Sequence, residues 1–496
     1  MGLRRILIAN RGEIAVRIIR ACSELGVESV AVYSDADARS PHVTAADRSI
    51  RIGPPPPAAS YLNIDAILKA AQESGADAIH PGYGFLSENA RFAETCAAQG
   101  VTFIGPAAAV IRQLGSKIAA RALAERVGVP VVAGAVPSDQ TDAGLITAAE
   151  RFGYPILVKP SEGGGGIGMK AVSDPATLPS AISQARREAV AAFGDGTLYF
   201  ERLLTNPRHI EFQILGDSRG NVIHLFEREC SLQRRHQKVI EETPSSALTD
   251  ELRRRMGEAA VSVARAAGYV NAGTIEFMLE GNGSDARFYF LEMNTRLQVE
   301  HPITEQVVGV DLVRAQIAIA SGEPLPWKQR DLAQRGHAIE ARVYAEDPAR
   351  DHLPQAGRLL LYREPELPGV RVDSGVTEGS DVSVHYDPML AKLIAHGETR
   401  EAARRRAIDA LSRYPILGIR TNVAYLIALL EHPRFVAGDT NIAFLQQEAE
   451  MLRAATSRDV PDEAMEVARA APAFWTSHEA PANAPDPWST LRGYRG

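Results

Sequence analysis

The stretch "FYFLEMNTRLQVEH", residues 288–301, carries the pattern that decides the fold. Five polar residues occupy every second position in its second part: Glu292, Asn294, Arg296, Gln298 and Glu300. Alternate side chains of an extended chain share a face, so we expect Phe288, Phe290 and Glu292 to point the same way. Such a strand would run under an apolar core and then form a polar binding floor. An edge strand with one solvated face is the alternative.

A second acidic strand is predicted to pair with this one. Glu276 lies in "GTIEFMLEG", and the turn-like "GNGSDA" joins that segment to residues 287–294, which predicts an antiparallel pair. Opposed carboxylates repel each other unless a cation lies between them. With Asn294 nearby, the ligand set is all oxygen, which suits Mg²⁺ or Mn²⁺ carrying nucleotide phosphates better than zinc.

A glycine-rich loop and a basic segment could bind anions. "SEGGGGIGMKAV", residues 161–172, follows Lys159, and glycine-rich loops let backbone N–H groups converge on phosphate. The loop lacks the Gly-Lys-Ser/Thr of a Walker A motif, and a structural hinge is the alternative. The basic segment contains Gln233, Arg234, Arg235, His236 and Lys238. A solvated charged face would also explain it, but a neighbouring metal strand favours an anion site.

Composition limits the class of protein. The chain has 496 residues, with 54 Lys and Arg against 61 Asp and Glu, so its formal net charge of -7 gives no global field that would attract nucleic acid or an anionic membrane. Three widely spaced cysteines predict neither a disulfide framework nor a zinc site. No signal peptide or membrane-spanning run is recognisable, so we expect a cytoplasmic protein.

The order of predicted elements indicates an α/β protein of several domains. Residues 5–35 have the pattern of a βαβ unit, and the single glycine of "ANRGEIA" argues against an NAD site with Asp35 as the ribose acid. The predicted ranges are 1–115 for a Rossmann-like domain, 116–131 for a connector, 132–203 for a lid, 204–446 for a C-terminal domain and 447–496 for a tail or linker.

Seven ordered blocks carry a resemblance to a known family: "IANRGEIAVRIIRA", "HPGYGFLSENA", "GGGGIGM", "ERECSLQRRHQKVIEE", "FLEMNTRLQVEHPITE", "GHAIEARVYAED" and "YDPMLAKLI". The sequence resembles the biotin carboxylases, the ATP-grasp component of biotin-dependent carboxylases. The resemblance implies an ATP-grasp fold with an N-terminal Rossmann-like domain, a small glycine-loop lid and a C-terminal domain that holds the nucleotide against the lid.

The resemblance also implies a reaction, in which bicarbonate carboxylates protein-bound biotin at the expense of ATP, through carboxyphosphate. The residues that would contact ATP are Lys117, Lys159, Gly165, Gly166, Glu201, Arg202, Leu203, Leu204, His209, Gln233 and His236. Glu276, Glu292 and Asn294 would hold Mg²⁺ or Mn²⁺. Bicarbonate would be held by Lys238, Arg296, Gln298 and the backbone of Val299, with Glu300 as its base. Arg342 would stabilise the biotin enolate, and Tyr83 would lie near the biotin ring.

Two departures from the family pattern lie in the glycine loop. Glu162 stands where the family usually has a small residue, and Ile167 stands where it often has Arg or Lys. A carboxylate added and a cation lost beside a triphosphate are expected to weaken nucleotide binding.

The resemblance implies partners as well. No biotin-bearing Met-Lys-Met type turn and no carboxyltransferase-sized segment are recognisable, so we expect a separate biotin carboxyl carrier protein and carboxyltransferase, unless the sequence is part of a longer polypeptide. Family members are commonly homodimers, and Arg20 and Glu24 lie where the family places dimer contacts. An i,i+4 pair on a solvated helix is the alternative explanation of these two residues. The alternatives are another ATP-grasp ligase and a catalytically silent scaffold that binds nucleotide. The sequence does not identify the final acceptor of the carboxyl group.

Overall fold

The computed structural model describes residues 2–162, 166–235 and 237–456. The chain begins with a parallel sheet of five strands: β1 (Arg5–Ile8), β2 (Glu28–Ser34), β3 (Arg48–Gly53), β4 (Ala78–His80) and β5 (Thr102–Phe103). Their order is β3-β2-β1-β4-β5. The associated helices are α1 (Gly12–Glu24), α2 (Pro41–Ala45), α3 (Ile64–Ser74), α4 (Ala90–Ala98) and α5 (Ala108–Gly115). The predicted Rossmann-like sheet is therefore confirmed.

Strand β1 explains why this sheet is covered on both faces. Ile6 and Ile8 pack in a core with Ile14 of α1, whereas Leu7 packs on the opposite face in a core with Ile67 of α3. Parallel strands that are buried on both faces need a continuous apolar run, which "ILIA" provides. Helix α3 is bounded by its own sequence, because the Asn63 side chain caps its N-terminus and Gly75 ends it in a left-handed conformation.

A smaller antiparallel sheet follows: β6 (Gly134–Ala135), β7 (Ile156–Pro160), β8 (Lys170–Val172) and β9 (Leu198–Arg202), in the order β6-β9-β7-β8. Its helices are α7 (Asp142–Phe152) and α8 (Leu178–Phe193), and α6 (Lys117–Arg126) precedes it. Val158 of β7 and Phe200 of β9 are in a separate apolar core with α7 and α8. The glycine-rich loop joins β7 to β8.

The remaining strands are β10 (Arg208–Gly216), β11 (Val222–Arg234), β12 (Gln237–Thr243), β13 (Asn271–Glu280), β14 (Arg287–Asn294), β15 (His337–Tyr344), β16 (Glu346–Asp347), β17 (Leu353–Pro354), β18 (Gly357–Arg358), β19 (Leu361–Tyr362), β20 (Val370–Ser374), β21 (Asp381–Val382), β22 (Met389–Gly397) and β23 (Ile416–Leu417). The helices are α9 (Asp250–Ala266), α10 (His301–Val308), α11 (Leu312–Ala320), α12 (Arg400–Ser412), α13 (Val423–Glu431), α14 (Pro433–Val436), α15 (Phe444–Gln447) and α16 (Ala449–Thr456).

Eight of these strands form one large antiparallel sheet, in the order β14-β13-β10-β11-β12-β15-β22-β20. Strand β10 shows how its two faces differ. Ile210, Phe212 and Ile214 belong to the core beneath α9, while the alternate residues His209 and Glu211 point to the other face. The first face thus supplies the apolar core beneath α9, and the other carries the cluster of buried charge beneath α10.

The pairing of β13 with β14 corrects one expectation from the sequence. Glu276 lies opposite Glu292, as predicted, but Phe277 lies opposite Phe290, so the register shifts by one residue at Leu291. This β-bulge turns Phe290 into the apolar core and Glu292 to the charged face. The two residues therefore do not share a face, although a regular strand would place them together. Bulges near functional sites re-aim side chains in this way.

The end of the described chain packs against the C-terminal core. Leu452 of α16 is buried in a core that also contains Leu426 and Leu429 of α13. Residues 449–456 of the segment predicted as a tail are therefore helical, and residues 457–496 lie outside the described part of the chain. Within the residues that are described, no helix combines the length and apolar character needed to cross a membrane.

The aromatic core beneath the acidic strand pair offers a test of the fold. The Phe277 ring lies 5.5 Å from Phe288 and 6.5 Å from Phe290, centroid to centroid, and it is fully buried. Phe277→Ala should lower the free energy of unfolding by about 3–5 kcal/mol, because a large buried ring is replaced by a cavity. Calorimetry should show a lower Tm. Val384→Ala, at a side chain that is 80% exposed, is the control, and equal Tm values for the two variants would contradict this core.

Candidate active site

Glu300 lies at the centre of the charged face. It precedes α10 and is 1% exposed. Its Oε1 accepts a hydrogen bond from Lys238 Nζ at 2.6 Å, and its Oε2 accepts one from Arg342 Nη2 at 2.9 Å. Burial by itself would raise the pKa of Glu300, but Lys238 and Arg342 outweigh burial and hold this pKa well below its usual range. Glu300 is therefore a carboxylate held between two cations.

Lys238 of β12 gathers three carboxylates from three other parts of the chain. Its Nζ lies 2.6 Å from Glu211 Oε2, 3.1 Å from Glu276 Oε1 and 2.6 Å from Glu300 Oε1. Burial would lower the pKa of Lys238, but these carboxylates raise it well above its ordinary value, so the amine is charged. An ammonium group has three N–H donors, and each of them is directed to one carboxylate.

The predicted metal residues meet across β13 and β14. Glu276 lies opposite Glu292, and Asn294 Nδ2 donates to Glu276 Oε1 at 2.9 Å. Burial would raise the pKa of Glu276, but Lys238 and His209 lower it well below its ordinary value. The pKa of Glu292 is raised by burial, with Lys117 opposing and Glu276 adding to the shift.

These three residues fit a divalent cation. Lys117 Nζ, at 3.7 Å from Glu292 Oε2, is beyond hydrogen-bond distance, so the charge of Glu292 is only partly compensated. The two carboxylates and the amide oxygen of Asn294 form a hard oxygen donor set, which is the set that Mg²⁺ and Mn²⁺ prefer. Asn294 Oδ1 accepts from Arg296 Nη2 at 3.1 Å in this arrangement.

Other acidic clusters on this face are compensated by protein cations. Two groups of potential ligands have their atoms within 4.8 Å of one another in the described part of the chain: His209, Glu211 and Glu276, and Glu211, Cys230 and Glu300. Lys238 binds a carboxylate in each group, and Arg228 Nε binds Glu211 Oε1 at 2.5 Å. These groups are therefore organised as ion pairs.

Arg296 and Gln298 belong to the turn between β14 and α10. Arg296 Nη1 donates to Gln298 Oε1 at 3.1 Å, and Gln298 Nε2 lies 3.3 Å from Glu276 Oε1. Glu88 from the N-terminal sheet region fixes the turn, because it accepts from Arg296 Nε at 2.8 Å and from the backbone N–H of Thr295 at 2.9 Å. Arg296 and Gln298 thus lie directly beside the acidic pair.

Val299 and Tyr83 border the same turn. The Val299 carbonyl accepts a hydrogen bond from Lys392 Nζ at 2.6 Å. The Tyr83 hydroxyl donates to Glu13 Oε1, and Lys392 Nζ lies 3.3 Å from the same oxygen. The pKa of Tyr83 is raised well above its ordinary value by burial and by Glu13, with Arg342 opposing. Tyr83 thus shares the Glu13 oxygen with Lys392, which is directly opposite Arg342 in the strand register.

The smaller sheet brings further predicted nucleotide contacts. Lys159 Nζ donates to Glu201 Oε2 at 2.8 Å, and Arg121 Nη1 donates to Glu201 Oε1 at 3.1 Å. Burial would lower the pKa of Lys159, but Tyr199 and Glu201 raise it above its ordinary value. Lys117 Nζ lies 3.7 Å from Glu292 Oε2, and both Lys117 and Lys159 oppose the effect of burial on the pKa of Glu292.

The connection between the two sheets contains the predicted hinge. Arg202 makes a bidentate pair with Glu280 of β13 at 3.0 and 2.9 Å. The backbone N–H groups of Arg202 and Leu203 donate to Ala133 and Pro155 carbonyls, and Leu204 is half-buried. His209 Nε2 lies 3.1 Å from Glu276 Oε2, and its Nδ1 lies 3.3 Å from Gln233 Nε2. Gly166 has a left-handed φ of 74°, while Gly165 and His236 lie outside the described residues.

Several charged residues of this face were not among the sequence-based candidates: Glu211, Arg228, Glu241, Lys392, Glu13 and Glu88. Glu211 and Lys392 lie in largely apolar strands, where a single charge is hidden in a pattern typical of the core. Arg228 and Glu241 have charged neighbours in the sequence, and Glu13 and Glu88 lie outside the strands. A lone lysine in "MLAKLIAHG" is the clearest available signal, because a charge inside a buried strand needs a partner.

Comparison with known proteins agrees with this architecture. Residues 2–111 match the family model described as "Biotin carboxylase, N-terminal domain", and residues 340–447 match "Biotin carboxylase C-terminal domain". Residues 116–328 match "Carbamoyl-phosphate synthase L chain, ATP binding domain". The flanking matches separate this chain from ligases that share only the central ATP-binding part.

Individual relatives cover most of the chain. It is 51% identical over 447 residues to the alpha subunit of mitochondrial methylcrotonoyl-CoA carboxylase from Oryza sativa, covering 90% of this chain and 60% of that protein. The chain thus spans less than two thirds of that relative. It is 49% identical over 442 residues to the biotin carboxylase of Halalkalibacterium halodurans, covering 89% of this chain and 97% of that protein.

A solved structure agrees with the fold. The biotin carboxylase domain dimer of Hydrogenobacter thermophilus 2-oxoglutarate carboxylase, in complex with MgADP, ADP and bicarbonate, superposes with a TM-score of 0.88 at 41% identity. The match covers 93% of this chain and 100% of that chain. With a shared fold, domain order and sequence identity of this extent, the chain belongs to the biotin carboxylase family of ATP-dependent ligases.

Proposed function

We propose that this chain carboxylates biotin on a carrier protein with ATP and bicarbonate, through carboxyphosphate, as the first half-reaction of a biotin-dependent carboxylase. The observation that carries the proposal is the position of Glu300 between Lys238 and Arg342, next to the opposed Glu276 and Glu292. This arrangement brings together a base (Glu300), an acidic pair that could hold a metal ion for the phosphates (Glu276 and Glu292), and cations for the anionic substrates. The arrangement suits joining bicarbonate to a phosphoryl group.

ATP would bind between the smaller sheet and the acidic pair. Lys117 and Lys159 supply positive charge for its phosphates, and the backbone of Gly165 and Gly166 would close over them. The segment 201–204 would contact the adenine, and His209, Gln233 and His236 would line the same site. Glu276, Glu292 and Asn294 would hold Mg²⁺ or Mn²⁺, which neutralises phosphate charge when it is bound.

Bicarbonate would be held by Lys238, Arg296, Gln298 and the Val299 backbone. Lys238 is charged and donates to three carboxylates, so an incoming anion would compete with them for its N–H groups. When Lys238 is shared with bicarbonate, it stabilises the Glu300 carboxylate less, and the pKa of Glu300 rises. Glu300 then becomes a better base for the bicarbonate proton.

Carboxyphosphate must be protected from water, which gives the glycine-rich loop a reason to close. Its breakdown would release CO₂ and phosphate, and the phosphate would take the proton from the ureido nitrogen of biotin. Arg342 would offset the charge that develops on the ureido oxygen, and Tyr83 would lie beside the biotin ring.

The proposal includes partners. We expect a biotin carboxyl carrier protein and a carboxyltransferase, either as separate chains or as further domains, and an acyl-CoA as the acceptor. A homodimer is supported by the dimeric biotin carboxylase domain of Hydrogenobacter thermophilus. The three cysteines are free and buried, which is compatible with a reducing compartment such as the cytosol.

Phosphate release tests the proposed function. Purified protein with MgATP should release phosphate in a bicarbonate-dependent manner, and free biotin should increase the rate. Another ATP-grasp ligase would not respond to biotin. Binding of MgATP with no bicarbonate-dependent phosphate release would instead identify a catalytically silent scaffold.

Replacing the proposed base gives a sharper prediction. Glu300→Gln should reduce bicarbonate-dependent ATP hydrolysis by about 10²–10⁴-fold, because the amide cannot accept the bicarbonate proton. The measurement is phosphate release at saturating ATP. Glu251→Gln, at a side chain that is 62% exposed on α9, is the control and should retain most of the activity. A loss below about tenfold in Glu300→Gln would refute the assignment of the base.

The glycine loop can be tested through its unusual residues. Ile167→Arg should lower the KM for ATP by about threefold to tenfold, because it restores a cation beside the triphosphate, while kcat should change little. Val136→Arg is a matched control, since Val136 is 47% exposed, Ile167 is 48% exposed, and both lie in the same small domain. An equal KM for Ile167→Arg and the parent protein would contradict the role given to the loop.

A further inference from the structure

Two buried glutamates lie close to Arg342, and only one of them accepts a hydrogen bond from it. Glu241 of β12 and Glu340 of β15 are directly opposite each other in the antiparallel register, so they share the charged face, and both are 0% exposed. Glu241 Oε1 accepts a hydrogen bond from Arg342 Nε at 2.6 Å. Neither oxygen of Glu340 accepts a hydrogen bond from any residue in the described part of the chain, and the same holds for Glu241 Oε2.

The nearby cations are already engaged. Arg342 contacts Glu300 as well as Glu241. Lys392, which is directly opposite Arg342 on β22, donates to the Val299 carbonyl at 2.6 Å and lies 3.3 Å from Glu13. Two ionised carboxylates placed opposite each other would therefore repel without a cation of their own. A buried pair of this kind lowers its energy by keeping one proton.

We propose that Glu241 and Glu340 form a carboxyl pair with a single negative charge, in which Glu340 holds the proton and Glu241 positions Arg342 for the biotin step. This rests on the proposed function above. Glu241 is a positioning residue, since it acts through Arg342, whereas Glu340 keeps the total charge of the pair at a value that one guanidinium can balance.

The electrostatic surroundings support this division. Burial raises the pKa of Glu340 well above its ordinary range, with Lys392 and Arg342 opposing. Burial also raises the pKa of Glu241, to about 7, and here Arg342 is the leading opposing influence. We assign the proton to Glu340 because Glu241 has the direct bond to Arg342. The titratable and charged groups that face Glu340 are Glu241, Glu300, Lys392, Arg342 and Tyr83.

The role of Glu241 follows from the ion pair with Glu300 that Arg342 loses during turnover. When Glu300 takes the bicarbonate proton, its contact with Arg342 is no longer a pair of opposite charges. The bond from Arg342 Nε to Glu241 remains charged and keeps the guanidinium in place. Arg342 is then fixed when charge develops on the ureido oxygen, and preorganisation of this kind lowers the barrier.

Matched amide substitutions test the proposal in the full-length chain. Glu241→Gln should reduce the biotin-stimulated rate of phosphate release by about tenfold to a hundredfold, while bicarbonate-dependent ATP hydrolysis without biotin should stay within about twofold. Glu340→Gln replaces a neutral acid with a neutral amide of the same shape, so both rates and the Tm should stay close to those of the parent. Thermal unfolding should be recorded for both variants.

Three outcomes would overturn the proposal: equal losses in the two variants, an equal loss of the biotin-free and biotin-stimulated rates in Glu241→Gln, or unfolding of Glu340→Gln. Failure of the proposed function is distinguishable, because the parent protein itself would then show no biotin stimulation.

A second measurement applies even where Glu241→Gln does not fold. In the parent protein, ionisation of Glu340 at alkaline pH would place a second charge beside Glu241 and disturb Arg342. Because this pKa is raised, the biotin-stimulated rate should be present at neutral pH and fall as Glu340 ionises. In Glu340→Gln the alkaline limb of that rate should move to higher pH. An unshifted limb would show that Glu340 does not hold the proton.

Discussion

The ammonium group of Lys238 is the interaction on which the charged face depends. It is enclosed by three carboxylates that come from β10, β13 and the turn before α10, all within 3.1 Å. Without this cation, Glu211 would keep only Arg228 and Glu300 only Arg342, so the buried region would hold more negative than positive charge, which is destabilising. The same cation is the group that we expect an anionic substrate to contact. One ammonium group therefore both stabilises the fold and is expected to bind the substrate anion.

This arrangement implies an exchange of partners. A cation whose N–H donors are all bonded to internal carboxylates can bind a substrate anion only if one of those carboxylates gives up its hydrogen bond. Glu300 can do this by accepting a proton, and Glu276 can do it by turning its charge toward a divalent ion beside Glu292. The buried acids therefore pair with the cations in the resting protein and free them for the substrate anion during the reaction. The charges of the site are already in place before the substrates bind.

Sequence reasoning could find those parts of the site that obey strand periodicity. The turn-like "GNGSDA" fixes the pairing of β13 with β14, and this pairing sets Glu276 opposite Glu292. The bulge at Leu291 was not predictable, because it is set by how Phe290 packs on Phe277 across the sheet. Glu211 and Arg228 were missed for a related reason. Their side chains meet only because β10 pairs with β11, and the sequence alone does not show that pairing.

The N-terminal sheet region contributes more than a support for this face. Glu88 holds the turn that carries Arg296, and Glu13 of α1 reaches Lys392, which in turn holds the Val299 carbonyl next to Glu300. Both contacts are made by charged groups whose partners lie more than 200 residues away in the chain. A shift of the N-terminal sheet relative to the large sheet would therefore displace the turn that carries the proposed base. The geometry of the site is thus a property of the assembled chain, since the large sheet holds the Glu300 carboxylate through Lys238 and Arg342, while the N-terminal region holds the turn that leads to it.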